Sequence, residues 1–267
     1  MVSKHQKRAT KKLRNVQKQR GKFPLLLEKV INDSDIVLEI LDARFPKDMQ
    51  NKEIEKLVNQ KGKQLIYVLN KSDLTMKRDK SLSPKVFVSC KSRTGISELR
   101  DKIKQEAKKI EKEGRVYVGV VGYPNTGKSS LINLLIGKMS AKTGADAGFT
   151  KGIQKLRLSE GICLLDSPGV IPSEAYSMIN EEKLAQQTKV GGKSFSQVKN
   201  PELAVNEIMK SNKKDLERFY KIDFKDAEDL IEKVGKKKRF LNKGGEVDSD
   251  KTARMVLKDW QLGNIQI

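Results

Sequence analysis

Val116-Tyr117-Val118-Gly119-Val120-Val121 runs directly into Gly122-Tyr123-Pro124-Asn125-Thr126-Gly127-Lys128-Ser129, and a helical pattern follows from Lys128 to about Ile136. The first stretch reads as a buried strand. The next eight residues fit GxxxxGK[ST], and a strand before with a helix after is the setting that separates a phosphate-binding loop from a chance Gly-rich turn. In such a loop the backbone N–H groups and the helix N-terminus wrap a β-phosphate. Lys128 would bridge the β- and γ-phosphate oxygens, and the Ser129 hydroxyl would ligate Mg²⁺. Asn125, Thr126, Gly127 and Ser130 complete the expected cradle.

Three further motifs gain meaning from that loop. Asp166-Ser167-Pro168-Gly169 follows the apolar run Ile162-Cys163-Leu164-Leu165, 44 residues after Gly122. Alone it is a common turn. Beyond a phosphate loop, Asp166 can hold Mg²⁺ through water, and the Gly169 N–H can meet a γ-phosphate. Asn70-Lys71-Ser72-Asp73 ends the strand Leu65-Ile66-Tyr67-Val68-Leu69. Asp73 can accept from the N1–H and 2-amino groups of guanine together, whereas adenine would leave the carboxylate unpaired, a mismatch worth ~10⁴-fold. Asn70 can tie the loop and reach the base edge, and the Lys71 stem can lie over the ring. Ser89-Cys90-Lys91 ends a third strand, Val86-Phe87-Val88, and its N–H groups can contact guanine O6. Between the phosphate loop and Asp166 lies the Gly-rich stretch from Lys142 to Lys151. It offers Thr150, with Thr143 as competitor, to close over Mg²⁺ when a γ-phosphate is present.

Strands and helices alternate through this region, beginning with Ile36-Val37-Leu38-Glu39-Ile40-Leu41, which ends at Asp42-Ala43-Arg44. Helices are expected over 51–60 and 95–113, and Leu156 and Leu158 alternate with charges as in an edge strand. This alternation predicts a doubly wound α/β sheet. From about Pro172 the strand-like runs stop. Segments 174–190, 201–221, 225–235 and 249–262 read as helices, the last with an apolar stripe of Ala253, Val256, Leu257 and Trp260 and a cap from Asp248 to Asp250. The expected organisation is therefore a basic arm over 1–22, an α/β domain over 23–172, and a small all-α domain over 173–267.

Composition narrows the partners. The 267 residues are 37% hydrophobic and 33% charged, with a formal net charge of +21. Residues 1–22 hold nine Lys/Arg and no acid. A chain this basic is expected to meet a polyanion, nucleic acid before an anionic membrane. Aromatic residues are only 5%, so contacts would be mainly to phosphate and sensitive to salt. There is no apolar run long enough for a membrane span and no signal-peptide h-region, and a cytoplasmic monomer is expected, although the basic tail also suits a nuclear or nucleolar address. Two isolated cysteines, Cys90 and Cys163, make neither a disulfide framework nor a zinc site. The single histidine, His5, lies in the basic tail and reads as solvated.

Together NKSD, SCK, GYPNTGKSS, AGFT and DSPG resemble the five guanine-nucleotide motifs of translation-factor-type GTPases. Here the two base-binding motifs precede the phosphate loop. That order, fourth, fifth, first, second, third, together with Asp42-Ala43-Arg44, resembles the circularly permuted GTPases of the YlqF/YawG type over residues 24–171. The resemblance implies a permuted P-loop GTPase sheet followed by helices, GTP and GDP as ligands, and a role in assembling the large ribosomal subunit on rRNA. It also implies that water attacks the γ-phosphate while Lys128 and Mg²⁺ stabilise the transferring charge. Many GTPases place a water-orienting glutamine after DxxG. Val170 stands there, so slow intrinsic hydrolysis is expected, and Asn125 either holds a K⁺ ion near the β–γ bridge or only shapes the loop. The direct link Val170-Ile171-Pro172 suggests that a γ-phosphate sets the angle of residues 173–267. Two other classes stay open: a GTPase switch with a protein or membrane target, and an RNA-binding protein that senses GTP and GDP with incidental hydrolysis.

Overall fold

The computed structural model describes residues 25–76, 81–137, 154–166, 188–189, 194–196 and 198–267. A helix over residues 25–33, α1, leads into β1 (Ile36–Asp42), α2 (Pro46–Met49), α3 (Lys52–Gln60), β2 (Gln64–Asn70), a 3₁₀ turn (Ser72–Leu74), β3 (Lys85–Phe87) and α4 (Ile96–Lys108). Then come β4 (Val116–Gly122), α5 (Lys128–Ile136), β5 (Gln154–Ser159) and β6 (Ile162–Asp166). Three helices close the chain, α6 (Pro201–Tyr220), α7 (Ala227–Lys238) and α8 (Ser249–Leu262).

The six strands form one sheet in the order β3-β2-β1-β4-β6-β5. All neighbours run parallel except the β5–β6 edge pair. The doubly wound α/β expectation holds, including the edge strand around Leu156 and Leu158. β1 is buried at every one of its positions, as a central parallel strand covered on both faces must be. One face packs Ile36, Leu38, Ile40, Val118 and Val120 against Leu99 and Ile103 of α4 and Leu131 and Leu135 of α5. The other packs Val37, Val121 and Leu165 against α1 and against Ile54 and Val58 of α3.

The C-terminal helices do not stand apart from the sheet. Leu41, Ala43, Phe45, Tyr67 and Tyr123 share one apolar cluster with Ala204 and Ile208 of α6, Leu230 and Val234 of α7, and Val256 and Trp260 of α8. Asp248 caps α8 by accepting from the Lys251 N–H at 2.9 Å, the cap read from sequence. The arm over 1–22 with His5, the boundary at 172, the Lys142–Lys151 loop, Gly169, Val170 and most of the 174–190 segment lie outside the described residues.

Glu39 shows how the fold sets the chemistry of its own interior. It sits mid-strand on β1, fully buried. Its Oε1 accepts from the Asn51 N–H at 2.9 Å, at the start of α3. Burial pushes the carboxyl up to about 8, against the Asn51 N–H and with help from the Glu55 charge. The sequence includes it in the strand without a role; in the fold it fixes the start of the helix that covers that strand.

Candidate guanine-nucleotide site

In an open parallel sheet, ligands bind beyond the carboxyl ends of the strands. The register places those ends together here. Asp42 pairs with Asn70 across β1 and β2, Ile40 pairs with Gly122 across β1 and β4, and Val120 pairs with Asp166 across β4 and β6. Every motif singled out in the sequence whose residues are described therefore opens on one edge.

The phosphate loop leaves β4 at Gly122, whose φ of +142° suits glycine alone, and a Cβ there would strike the backbone carbonyl of Ile40. Its turn is completed by Asn125 at φ +60° and Gly127 at φ +93°. The buried Thr126 hydroxyl donates to the Tyr123 carbonyl at 2.9 Å. Lys128 opens α5 and turns back over the loop, its Nζ donating to the carbonyls of Gly122 at 3.1 Å and Tyr123 at 2.6 Å. Only 6% of Lys128 is exposed. Burial pushes its ammonium down to about 8, while the charge of Asp166 favours the cation. A desolvated cation held by loop carbonyls is poised for an anion of high charge.

Asn70 is the brace of the site. It is 1% exposed, its Nδ2 donates to the Thr126 carbonyl at 2.7 Å, and its Oδ1 accepts from the Cys90 N–H at 3.2 Å. One amide thus joins the end of β2, the phosphate loop and the Ser89-Cys90-Lys91 turn. Gly127 lies so close that a Cβ there would strike Asn70 Nδ2. Asp73 is half-buried and one of its oxygens accepts from the Ser89 hydroxyl at 2.6 Å. That hydroxyl in turn accepts from the Ser92 N–H at 3.0 Å. An ionised carboxylate has room for about four acceptor contacts, so orientation by Ser89 leaves capacity for two base donors. Cys90 is half-buried, and burial pushes its thiol up to about 11, with Asn70 and Lys71 opposing and Asp73 adding to the rise. It stays a neutral thiol at working pH. Lys91 is exposed, and Lys71 sits at φ +60° with its Nζ 3.0 Å from Asp42 Oδ2.

For Mg²⁺ the residues present fit. Ser129 is half-buried at the start of α5, and Asp166 is fully buried at the end of β6. A hydroxyl and a carboxylate are the hard oxygen donors that ion takes. Ser130 is exposed one residue further along α5, and Asn125 is half-buried in the loop. Thr150, its competitor Thr143, and Gly169 fall outside the described residues. The partner of Lys71, Asp42, has no signal in the sequence beyond its place in Asp42-Ala43-Arg44 at the end of β1.

A six-stranded sheet of this order, with a phosphate loop after β4 and an Asn-Lys-Ser-Asp loop beside it, is the fold of a circularly permuted P-loop GTPase. The sequence profile of the family described as 50S ribosome-binding GTPase matches residues 117–239. Among curated relatives, an uncharacterized GTP-binding protein of Methanocaldococcus jannaschii is 41% identical over 90% of this chain and 65% of its own length. Guanine nucleotide-binding protein-like NSN1 of Arabidopsis thaliana is 32% identical over 90% of this chain and 47% of its own length. Nucleolar GTP-binding protein 2 of Neurospora crassa is 34% identical over 90% of this chain and 40% of its own length. This chain thus spans between two fifths and two thirds of these relatives. The GDP-bound structure of YlqF from T. maritima aligns with a TM-score of 0.57 at 22% identity, covering 86% of this chain and 90% of that one. The chain is thus similar to this GTPase family over residues 117–239, has the fold of YlqF, and is homologous to the GTP-binding proteins it aligns with.

Proposed function

We propose that the chain binds GTP and GDP with Mg²⁺, hydrolyses GTP, and serves as an assembly factor for the large ribosomal subunit, gripping rRNA in a nucleotide-dependent way. The observation that carries this reading is Asn70. A single buried amide holds the base-reading loop, the Ser89-Cys90-Lys91 turn and the phosphate loop in one constellation.

Asp73, held by Ser89, reads guanine N1–H and the 2-amino group; Asn70 braces the site; the Lys71 stem covers the ring; the Cys90 and Lys91 backbone faces O6. The N–H groups from Asn125 to Ser130 wrap the phosphates. Ser129 would hold Mg²⁺ directly and Asp166 through water, Thr150 would close over the ion when a γ-phosphate is present, and the Gly169 N–H would meet that phosphate. Mg²⁺ when bound neutralises charge on the phosphate oxygens. Water adds to the γ-phosphorus as the bond to the β–γ bridging oxygen breaks, and Lys128 stabilises the charge that gathers there. The side chain after Gly169 is Val170, which has no group to orient that water, so acceleration would come from elsewhere: the bound subunit, and K⁺ if Asn125 holds that ion rather than only shaping the loop.

The ribosomal target rests on three supports. The matching family is described as ribosome-binding, one relative is named as a nucleolar GTP-binding protein, and the charge is +21. On the surface, Lys236, Lys237, Lys238, Arg239 and Lys243 are all exposed at the end of α7, a natural contact for phosphate backbone. Among the described residues no helix is long and apolar enough to cross a membrane.

Turnover measured alone and with purified subunits tests the hydrolytic half. Slow GTP hydrolysis in isolation is expected to rise by on the order of tenfold or more with the large subunit, and to fall when Na⁺ replaces K⁺. Turnover indifferent to subunits would favour a GTP/GDP sensor with incidental hydrolysis, and turnover indifferent to the cation would leave Asn125 a loop-shaping residue.

A further inference from the structure

The guanine-reading loop leans on the last helix of the chain by two separate routes. The first runs through Asp42. Its Oδ1 accepts from the Arg44 backbone N–H at 3.1 Å and from Arg44 Nε at 3.0 Å. Its Oδ2 accepts from Arg44 Nη2 at 2.9 Å and from Lys71 Nζ at 3.0 Å. The Asp42 and Arg44 side chains are each 2% exposed, and that of Lys71 is 23% exposed. Burial by itself would raise the carboxyl, but the Lys71 and Arg44 cations and the Arg44 hydrogen bonds outweigh it and hold Asp42 well below the usual carboxylate range. The remaining arm of the guanidinium, Nη1, donates to the Trp260 carbonyl of α8 at 2.9 Å. Its carbon lies 5.2 Å from the ring centroids of both Phe45 and Trp260. Trp260 is fully buried, and its indole N–H donates to the Lys189 carbonyl at 2.9 Å. A planar fork that serves a carboxylate, a carbonyl and two rings is a task for arginine and not for lysine.

The second route touches the other end of the same loop. The Ile267 N–H donates to the Leu74 carbonyl at 3.0 Å. Gly263, which ends α8 at φ +77°, lies against Leu74 so closely that a Cβ there would strike the Leu74 side chain. Residues 70–74 are therefore held between α8 with its following residues and the phosphate loop. Lys71 also has a left-handed backbone, a conformation that a non-glycine residue keeps only when its surroundings impose it.

We propose that α8 and the residues after it are a working part of the guanine site. Asp42 and Arg44 are positioning residues that aim Lys71, and the docking of α8 and the occupancy of the base pocket are coupled through residues 70–74. The proposal rests on the guanine reading of those residues. Because the route passes through the base loop, GDP and GTP engage it alike. Because binding couplings are reciprocal, anything that alters the docking of α8 changes the affinity for GDP and for GTP by the same factor, and a preference between the two has to come from the γ-phosphate side of the site.

The test is release of fluorescent GDP from the full chain. Arg44→Gln is expected to speed release by on the order of ten- to a hundredfold. In a Lys71→Ala background the same change is expected to add less than about threefold, since coupled residues do not act additively. A merely structural arginine would give the same factor in both. Arg44→Gln leaves a buried carboxylate with one partner fewer, so Gly263→Ala supplies an arm that touches neither Asp42 nor Lys71. It is expected to speed release by about three- to tenfold, and Leu74→Val, which removes the crowding Cδ atoms, is expected to restore most of that. Amide exchange in α8 should slow equally with GDP and with a non-hydrolysable GTP analogue. Unchanged release in folded Gly263→Ala, or protection of α8 by the GTP analogue alone, would overturn the coupling while leaving guanine binding intact. Wild type that binds no guanine nucleotide would overturn the guanine reading itself, and this proposal with it.

Discussion

Asp73→Asn should weaken GDP binding by about 10² to 10⁴ and open the pocket to xanthosine diphosphate. Guanine offers two adjacent donors, N1–H and the 2-amino group, and a carboxylate meets both. An asparagine amide meets one and turns its own N–H₂ toward the other. Xanthine carries a carbonyl in place of the amino group, so it accepts from that N–H₂ while its N1–H still finds an oxygen. The Ser89 hydroxyl, 2.6 Å from Asp73 Oδ1, can donate equally to an asparagine oxygen, so the variant keeps the orientation of the parent. Competition titrations with GDP and xanthosine diphosphate on both proteins measure the exchange. A GDP affinity within tenfold of wild type, with no gain for xanthosine diphosphate, would remove Asp73 from the base site.

The second large effect concerns Lys128. Its ammonium is pushed down to about 8 by burial, with Asp166 opposing. Phosphates bound against it would raise that value again. Between about 8 and the bound value the empty protein lacks a proton that the complex carries, so binding takes one up. GDP affinity should therefore fall as pH rises from 7.5 to 9, approaching tenfold per unit at the upper end. Lys128→Ala should cost about 10² to 10³ in affinity at pH 7.5 and should abolish that part of the slope. Any slope left in the variant belongs to the base and to other groups, which makes it the proper reference. Calorimetry in buffers of different ionisation enthalpy counts the proton directly. Parallel pH slopes in the two proteins would mean that Lys128 is charged before the nucleotide arrives.

Much of this architecture is legible in the sequence because central parallel strands leave no ambiguity. β2, β4 and β6 are nearly continuous apolar runs that each end in residues phosphate or base chemistry requires, and β1 is apolar from Ile36 to Leu41 apart from Glu39. Other features have no such signature. The helix over 25–33 and the single turn Pro46–Met49 are short and lie beside stronger patterns. The helix expected over 95–113 stops at Lys108, and the charged, exposed residues around Glu111 to Glu113 give it no apolar face to continue on. The role of Glu39 has no sequence signature either, because it is set by the Asn51 N–H twelve positions on. The contact between Arg44 and Trp260 spans 216 positions, and nothing local in either segment announces the other. The expected separation of an α/β domain from a helical one rests on a boundary outside the described residues. In the described residues the two halves share an apolar cluster that joins Leu41 and Phe45 to Trp260.

The most direct measurement is co-sedimentation with purified ribosomal subunits, in a non-hydrolysable GTP analogue, in GDP and without nucleotide, at two salt concentrations. The proposed function predicts binding to the large subunit that is favoured by the GTP analogue and keeps that preference when salt is raised, although phosphate contacts weaken at the higher salt. Binding that ignores the nucleotide and vanishes with salt would contradict it, reducing the +21 charge to generic affinity for polyanions and leaving a GTPase whose target lies elsewhere.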